Sequence, residues 1–219
     1  WDPVENSSLI PWFLMTALFH SILVLEKRDG IYLWVIILSI LTFTMSVTGT
    51  FLVRSGILNS VHTFANDPSR GMFILTFLSV MIFSSVYIFY KFSPTEERSF
   101  KLFSKEFFIL TNNWFMIFFL ITVLIGTIYP IFLEVLTSQK ISIGPPYYNT
   151  VLAPFLVPLL FIMAYGPKTS WIISKPFKIK KILFTLLISS LITFFIIFLI
   201  DQKNYLINIL LISSLYLIL

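Results

Sequence analysis

The chain has 219 residues, of which 58% are hydrophobic and 11% are charged, with a formal net charge of +5. This balance excludes a water-soluble globular domain, because a domain of this size could not keep so much apolar surface away from water. The sequence contains no cysteine, which excludes disulfides and thiolate ligands from within it.

Long apolar runs recur along the chain, separated by short polar segments. Most are long enough for a helix to cross the hydrocarbon core of a bilayer, and none shows the strict alternation that a membrane barrel needs. We predict an all-α protein, a polytopic transmembrane helical bundle that forms one membrane domain over residues 1–219, and we expect it to be a fragment of a larger protein. The seven hydrophobic segments cover residues 9–25, 31–53, 71–91, 113–136, 150–166, 182–200 and 205–219.

The charged loops predict the orientation of the bundle. Residues 26–30, 91–106 and 167–181 hold 11 of the 15 Lys and Arg residues. The positive-inside rule then puts the N-terminal end and the loops at 54–70 and 137–149 on the periplasmic or intermembrane-space side, called outer below. Because the aromatic residues lie inside the apolar runs, the positive charge does not indicate nucleic-acid binding.

The first segment begins with a helix-capping pattern. Asp2, Pro3 and Glu5 occupy the N-cap, first and third positions of a helix, where the missing N–H of proline costs nothing. We predict a helix that starts at Pro3 and kinks at Pro11, which cannot donate a backbone hydrogen bond. Local physics alone favours a cap below an interfacial aromatic belt that includes Trp12.

His20 lies inside the first span, where an ionisable side chain is costly and by default marks a functional position. It follows Leu9 by eleven residues, about 16 Å along a helix. Thr16 and Ala17 are small residues one turn earlier, with Phe13 beyond, and a flat ring could fit against that face. The alternative is a neutral imidazole hydrogen-bonded to a neighbouring helix.

His62 lies in the outer loop at 54–70. The apolar residues around it fall on one helical stripe, so residues 56–66 are predicted to form a short amphipathic helix at the membrane interface. His62 lies on the flank of this stripe, where a ring nitrogen can reach a flat ligand at the interface. The alternative is a solvated loop histidine.

Several sequence blocks resemble one known family. WDPVENSS at 1–8, followed by PW, resembles the end of the tryptophan-rich WWD signature of heme-handling membrane proteins. The further blocks TALFHS (16–21), GTFLVRSG (49–56), SVHTFANDPSRG (60–71) and ISIGPPYYN (141–149) follow as in the CcmF-type heme lyases of cytochrome c maturation. The resemblance covers residues 1 to about 150, and beyond them only hydrophobic spans match.

The resemblance implies an enzyme, a heme lyase of the holocytochrome c synthase type. It would hold heme at the outer membrane face for thioether attachment to the CxxCH thiols of apocytochrome c. His62 would be an axial ligand of that heme, and His20 would ligate a second, b-type heme within the membrane. The end of the WWD heme site would lie at residues 1–8, with Trp1, Asp2, Pro3, Glu5 and Asn6 as its residues.

The two histidines cannot share one iron. His20 is predicted deep in the membrane and His62 on its outer surface, so each iron needs another ligand: a Met, solvent or a residue outside this chain. Arg54 and Arg70 bracket the helix that carries His62. Their guanidinium groups can pair with heme propionates, or they can simply snorkel at the ends of spans.

The resemblance also implies partners: a CcmE-like heme chaperone, apocytochrome c, a thiol-reducing maturation partner and the remaining CcmF portion or split subunits, all at the lipid bilayer. We expect the mitochondrial inner membrane, because abundant Phe, Ile, Asn and Lys suggest an AT-rich coding genome, with a bacterial plasma membrane as the alternative. Two other functions stay open: a heme exporter or other transporter, and a noncatalytic membrane subunit of a respiratory assembly.

Overall fold

The computed structural model describes residues 1–57, 67–92, 102, 104–137, 141–171, 179–200 and 204–219. Within these ranges the secondary structure is helical and contains no strand, which confirms the predicted all-α fold. Six of the described helices are long and apolar enough to cross a membrane, and the last is shorter. The helices are α1 (Pro3–Arg28), α2 (Tyr32–Arg54), α3 (Pro68–Phe92), α4 (Lys105–Thr137), α5 (Pro145–Tyr165), α6 (Ile179–Ile200) and α7 (Tyr205–Ile218), with a 3-10 turn at Gly166–Lys168.

The first helix begins as its sequence predicts. The side chain of Asp2 caps α1, because its Oδ1 accepts a hydrogen bond of 2.8 Å from the backbone N–H of Val4. α1 then continues through Pro11 to Arg28 as one helix. A proline inside a membrane helix is tolerated where neighbouring helices and hydroxyl side chains satisfy the backbone groups that it frees.

Besides α1, whose early start was predicted, α4 and α5 begin five or more residues before their apolar runs. α4 has 33 residues, a length of about 50 Å, and includes Asn112 and Asn113, which are buried in protein. Ser104 starts this helix by accepting a hydrogen bond of 3.2 Å from the N–H of Phe107. α5 begins at Pro145 rather than near residue 150, because a proline fits the first turn of a helix.

The chain divides into two compact units, which are described separately. The first comprises Trp1–Arg98 and Met116–Tyr148. In it α1 packs on α2 and α2 packs on α3. The backbones of α1 and α2 approach each other closely at Gly49, where an added Cβ would lie 2.6 Å from the carbonyl oxygen of Ser7. Such small residues let membrane helices approach each other closely.

The second unit comprises Ser99–Phe115 and Asn149–Leu219. In it α6 packs on α7, and α5 meets α7 through the rings of Phe161 and Tyr216, whose centroids lie 5.0 Å apart. The backbone N–H of Lys105 donates a hydrogen bond of 3.0 Å to the carbonyl of Ser170. None of the predicted site residues belongs to this unit.

Candidate functional site

Polar side chains tie the predicted outer end of α1 to α4 and α5. Asn6 is only 3% exposed, and its Nδ2 donates hydrogen bonds of 3.1 Å to Thr127 Oγ1 and to Tyr148 Oη. The hydroxyl of Thr127 in turn donates a bond of 2.8 Å to the carbonyl of Val123. The amide nitrogen of Asn6 is therefore used to join three helices.

Trp1 lies directly before this helix end and stacks on Tyr148. The two ring centroids are 4.0 Å apart and the planes differ by 9°, a stacked arrangement that aromatic pairs favour when the rings are offset. Tyr148 is buried, whereas Trp1 stays 42% exposed. One face of the indole is thus covered by protein, while much of the ring remains accessible.

A glycine makes room for the tyrosine ring. A Cβ added at Gly126 would lie 2.6 Å from Tyr148 Oη and 2.9 Å from two ring carbons. Real Cβ atoms are not found this close to other heavy atoms, so any larger residue would force the ring of Tyr148 to move. The position of Tyr148 under Trp1 therefore depends on the absence of a side chain on α4.

A cleft of about 590 Å³ opens beside Trp1. Its walls come from the start of α1, from the C-terminal turns of α4 up to Glu134, from the 141–143 loop and from Tyr148, with Ile57 at the end of the first described stretch. Trp1 also borders a hollow of about 490 Å³ that is lined by Glu5, Ser8 and Trp12 among others. Both volumes lie in the range of about 300–1,000 Å³ that is typical of small-molecule sites.

The residues predicted at 1–8 therefore come together but have different surroundings. Trp1, Pro3 and Asn6 line the cleft, and Glu5 is exposed in the neighbouring hollow. Asp2 is engaged as the cap of α1. The cleft thus offers mainly apolar surface with a few polar groups, and the carboxylate of Asp2 serves the helix.

His20 lies on the flank of the buried face of α1. It is half-buried, and its ring centroid lies 6.0 Å from that of Phe19. Ala17 is 0% exposed and Phe13 is 8% exposed, so the face on which we expected a flat ring to fit is filled by protein. The part of that face that remains open is on the side of Thr16, which is half-buried, and of Phe19.

His20 is far from the cleft along the same helix. Fourteen residues separate it from Asn6, which corresponds to about 21 Å of helix. A planar ring at His20 therefore cannot also stack on Trp1.

His62 and most of the predicted interfacial helix at 56–66 lie outside the described residues. The ends of this segment are described. α2 ends at Arg54, Gly56 has a φ of 75°, and the N–H of Asp67 donates a hydrogen bond of 3.1 Å to the carbonyl of Arg54. The described residues on either side of this segment, Arg54 and Asp67, are therefore in direct contact.

The two arginines that bracket this segment differ. Arg70 Nε lies 3.0 Å from Asp67 Oδ2, in an exposed ion pair, and such a pair adds little to stability. Arg54 is exposed at the end of α2. Both arginines flank the segment that contains His62, with Arg54 before it and Arg70 after it.

Sequence reasoning missed Tyr148, Thr127 and Gly126 as parts of the site. Tyr148 falls in the block ISIGPPYYN, which carries part of the resemblance but from which no site residue was predicted. Nothing local distinguishes it from Tyr147, whose hydroxyl instead donates a bond of 3.4 Å to the carbonyl of Thr122. Glu134 also lines the cleft.

Comparison with known proteins first defines a class. The sequence model of the family described as "Cytochrome C assembly protein" matches residues 1–58, which include all of α1 and α2. With its six membrane-length helices in the described ranges, the chain is a polytopic helical membrane protein whose first 58 residues match the cytochrome c assembly family.

Individual relatives then narrow the class. The chain is 44% identical over 174 residues to cytochrome c-type biogenesis protein CycK of Rhizobium meliloti, covering 78% of this chain and 26% of the relative. It is 40% identical over 196 residues to CcmF of Escherichia coli, covering 88% of this chain and 30% of the relative. The resemblance predicted from the motifs is confirmed: the chain is homologous to the CcmF-type cytochrome c biogenesis proteins and spans about a quarter of the length of the first relatives.

A solved structure agrees on the fold. The chain superposes on "Cytochrome c Heme Lyase CcmF" with a TM-score of 0.70 and 24% sequence identity, over 99% of this chain and 31% of that one. At this level of identity the match supports the helical architecture, and the function has to be argued from the site.

Proposed function

We propose that the chain forms part of a heme lyase, in which the cleft beside Trp1 holds heme for attachment to apocytochrome c. The observation that carries this proposal is the stacked indole at the rim of a cleft of about 590 Å³. A flat, largely apolar ligand suits a site with an accessible aromatic ring and few polar groups. The names of the relatives, cytochrome c-type biogenesis proteins, point to the same process.

The place of His62 in the sequence supports an axial role at this cleft. Ile57 lines the cleft, and Asp67 returns to Arg54 through its backbone hydrogen bond. His62 is five residues from Ile57 and five from Asp67, so covalent geometry keeps its Cα within about 18 Å of both. We therefore keep His62 as the proposed ligand of the heme iron held here.

Arg54 is the better of the two arginines for a propionate group. Its side chain is exposed where α2 ends, next to the chain that leads into the cleft at Ile57. Arg70 is engaged with Asp67 and could bind a propionate only by exchanging that partner. A guanidinium group binds a carboxylate through two parallel hydrogen bonds, which would also fix the heme in its plane.

The proposed reaction adds each cysteine thiol of the CxxCH segment across one vinyl group of the heme substrate. A carbon–sulfur bond forms and the thiol hydrogen goes to the other vinyl carbon, so the addition itself needs no oxidant or reductant. This chain contributes position: Trp1 binds the flat face of the substrate, His62 holds its iron and Arg54 a propionate. When the heme is held in this way, its vinyl groups are already positioned for the thiols, so the two groups need not meet by diffusion.

His20 would hold a second, b-type heme within the membrane, and such a group can carry electrons that keep the substrate iron ferrous. An imidazole in a span is otherwise expensive. The approach on the side of Thr16 and Phe19 leaves the buried face of α1 undisturbed. The second axial ligand of each iron would come from a Met, from solvent or from a residue outside this chain.

The proposal implies a set of partners. Heme would arrive from a CcmE-like chaperone, apocytochrome c would present thiols kept reduced by a thiol-reducing partner, and the remaining CcmF portion or split subunits would complete the sites. The named relatives are bacterial, which favours the plasma membrane over the mitochondrial inner membrane that we expected from composition. In either membrane the cleft would face the outer compartment.

The test uses the full-length protein with its maturation partners, in a bacterium that lacks its own system. We expect His62→Ala and Trp1→Ala to lower the yield of heme-stained cytochrome c by at least about tenfold at equal protein levels, since misplaced reactants react slowly. Trp12→Ala is the matched control, because Trp12 lines the neighbouring hollow and is exposed. Normal yields with His62→Ala and Trp1→Ala would contradict the proposal, and loss of the protein itself would favour a noncatalytic subunit.

A further inference from the structure

Tyr148 is constrained on three sides. Its ring stacks on Trp1, and its hydroxyl accepts a bond of 3.1 Å from Asn6. On the third side the tyrosine lies against α4 at Gly126, where an added Cβ would be only 2.6 Å from Tyr148 Oη. It is 1% exposed, so it has little direct access to a ligand. Because Tyr148 is held firmly, it can fix the orientation of a ring that stacks on it.

Trp1 packs on this ring at the start of the first helix. It precedes Asp2, the cap of α1, whose backbone is extended with a φ of −79° and a ψ of 138°, so Trp1 lies outside α1. The stack on Tyr148 covers one face, and the ring is still 42% exposed. The plane of the indole lies within 9° of the plane of the tyrosine ring.

We propose that Tyr148 is a positioning residue that holds the plane of Trp1, so that a planar tetrapyrrole binds as the third layer of a stack of Tyr148, Trp1 and ligand. The inference rests on the proposed function, since it assigns a role towards the same heme. It adds a residue on α5, 147 positions from Trp1 in the sequence, and a requirement for glycine at position 126.

The experiment measures heme affinity and stability in the same variants of the full-length purified protein. Heme is titrated by absorbance, and the binding that disappears in His62→Ala defines the outer site. Thermal unfolding is followed in parallel. Tyr148→Leu removes the ring, and Tyr148→Phe keeps the ring and removes the hydroxyl. Tyr147→Phe is the control on the neighbouring tyrosine, which does not line the cleft, because it keeps the ring that packs edge-on against Tyr148 and removes only the hydroxyl that bonds to Thr122.

We expect Tyr148→Leu to raise the Kd of the outer site about tenfold, the effect of losing one good aromatic stack. Tyr148→Phe should lower the unfolding temperature, because Asn6 loses an acceptor, yet leave the Kd within about twofold of the wild type since the stack remains. Tyr147→Phe should leave the Kd unchanged, because the ring that packs against Tyr148 is kept. If Tyr148 had only a structural role, the loss of heme affinity would instead parallel the loss of thermal stability across the three variants.

A second pair of variants keeps the test decisive if Tyr148→Leu fails to fold. Gly126→Ala pushes the ring of Tyr148 without removing it and should also weaken heme binding at the outer site. Gly144→Ala is its control, because the nearest atom to the added Cβ is Pro146 Cδ at 3.7 Å, an ordinary contact.

Two results overturn the inference in different ways. An unchanged Kd in both Tyr148→Leu and Gly126→Ala rejects the role of Tyr148 while leaving the proposed function intact. A wild-type protein without any heme binding that depends on His62 rejects the proposed function itself, and the positioning role with it.

Discussion

The two halves of α1 carry the two proposed heme positions and are held in different ways. At the outer end, Asn6 is buried and bonded to two other helices, and Trp1 stacks on a third residue far away in sequence. Deeper in the membrane, His20 lies half-buried on a flank, next to Phe19, which is 60% exposed. The outer site is shaped by tertiary contacts, whereas the inner one is marked by a single costly side chain that needs a further surface to complete it.

The largest effect on this difference is expected when the hydrogen bonds that tie Asn6 to Thr127 and Tyr148 are removed. Asn6→Leu leaves the hydroxyls of Thr127 and Tyr148 without their buried donor, and we expect a loss of about 2–4 kcal/mol in the free energy of unfolding. Denaturant titration of the purified protein measures it. Ser8→Ala is the control and should change the stability by less than about 0.5 kcal/mol, because its hydroxyl bonds to Glu5 at the exposed surface. Equal effects of the two substitutions would contradict the tie.

A second prediction concerns the close approach of α1 and α2. Gly49→Ala places a Cβ against the backbone carbonyl of Ser7, which cannot rotate away, so the helices must separate. We expect a loss of about 1–3 kcal/mol in stability, measured by the same titration. The neighbouring Thr50→Ala, at an exposed position, should be close to neutral. A neutral Gly49→Ala would mean that the helices are packed less tightly than described here.

The smallest effect is expected at the cap of α1. Asp2→Ala removes the acceptor for the N–H of Val4 and should cost about 1 kcal/mol. Asp2→Asn keeps a capping oxygen and should retain most of the stability. If both variants lose the same amount, the charge of Asp2 matters more than its cap, and a direct role at the heme site would become the better explanation.

Much of the fold follows from local sequence. A long apolar run indicates a helix that can cross the bilayer, so the number and order of the spans were predictable. The start of α1 at Pro3 followed from its capping residues. The early starts of α4 and α5 were not predicted. Asn112 and Asn113 indicate a loop by polarity but are buried inside the protein, and Pro145 suits an extended loop as well as a first helical turn.

The site was predictable only in part. Trp1, Pro3 and Asn6, which line the cleft, are adjacent in a recognisable block, and their role towards heme stays a prediction. Tyr148 could not be identified, because its contact with Asn6 spans 142 residues and no local pattern records such a pairing. The face next to His20 was misjudged for the same reason: small residues such as Ala17 admit a neighbouring helix as readily as a ligand.

The central claim is that the chain serves two separate hemes, one at Trp1 and His62 and one at His20. Heme content and visible spectra of the purified full-length protein test it most directly, with His20→Ala and His62→Ala compared at equal protein concentration. Each variant should lose a different heme signal and keep the other, with its helical content unchanged. Loss of both signals in either variant, or of neither in both, would contradict the account.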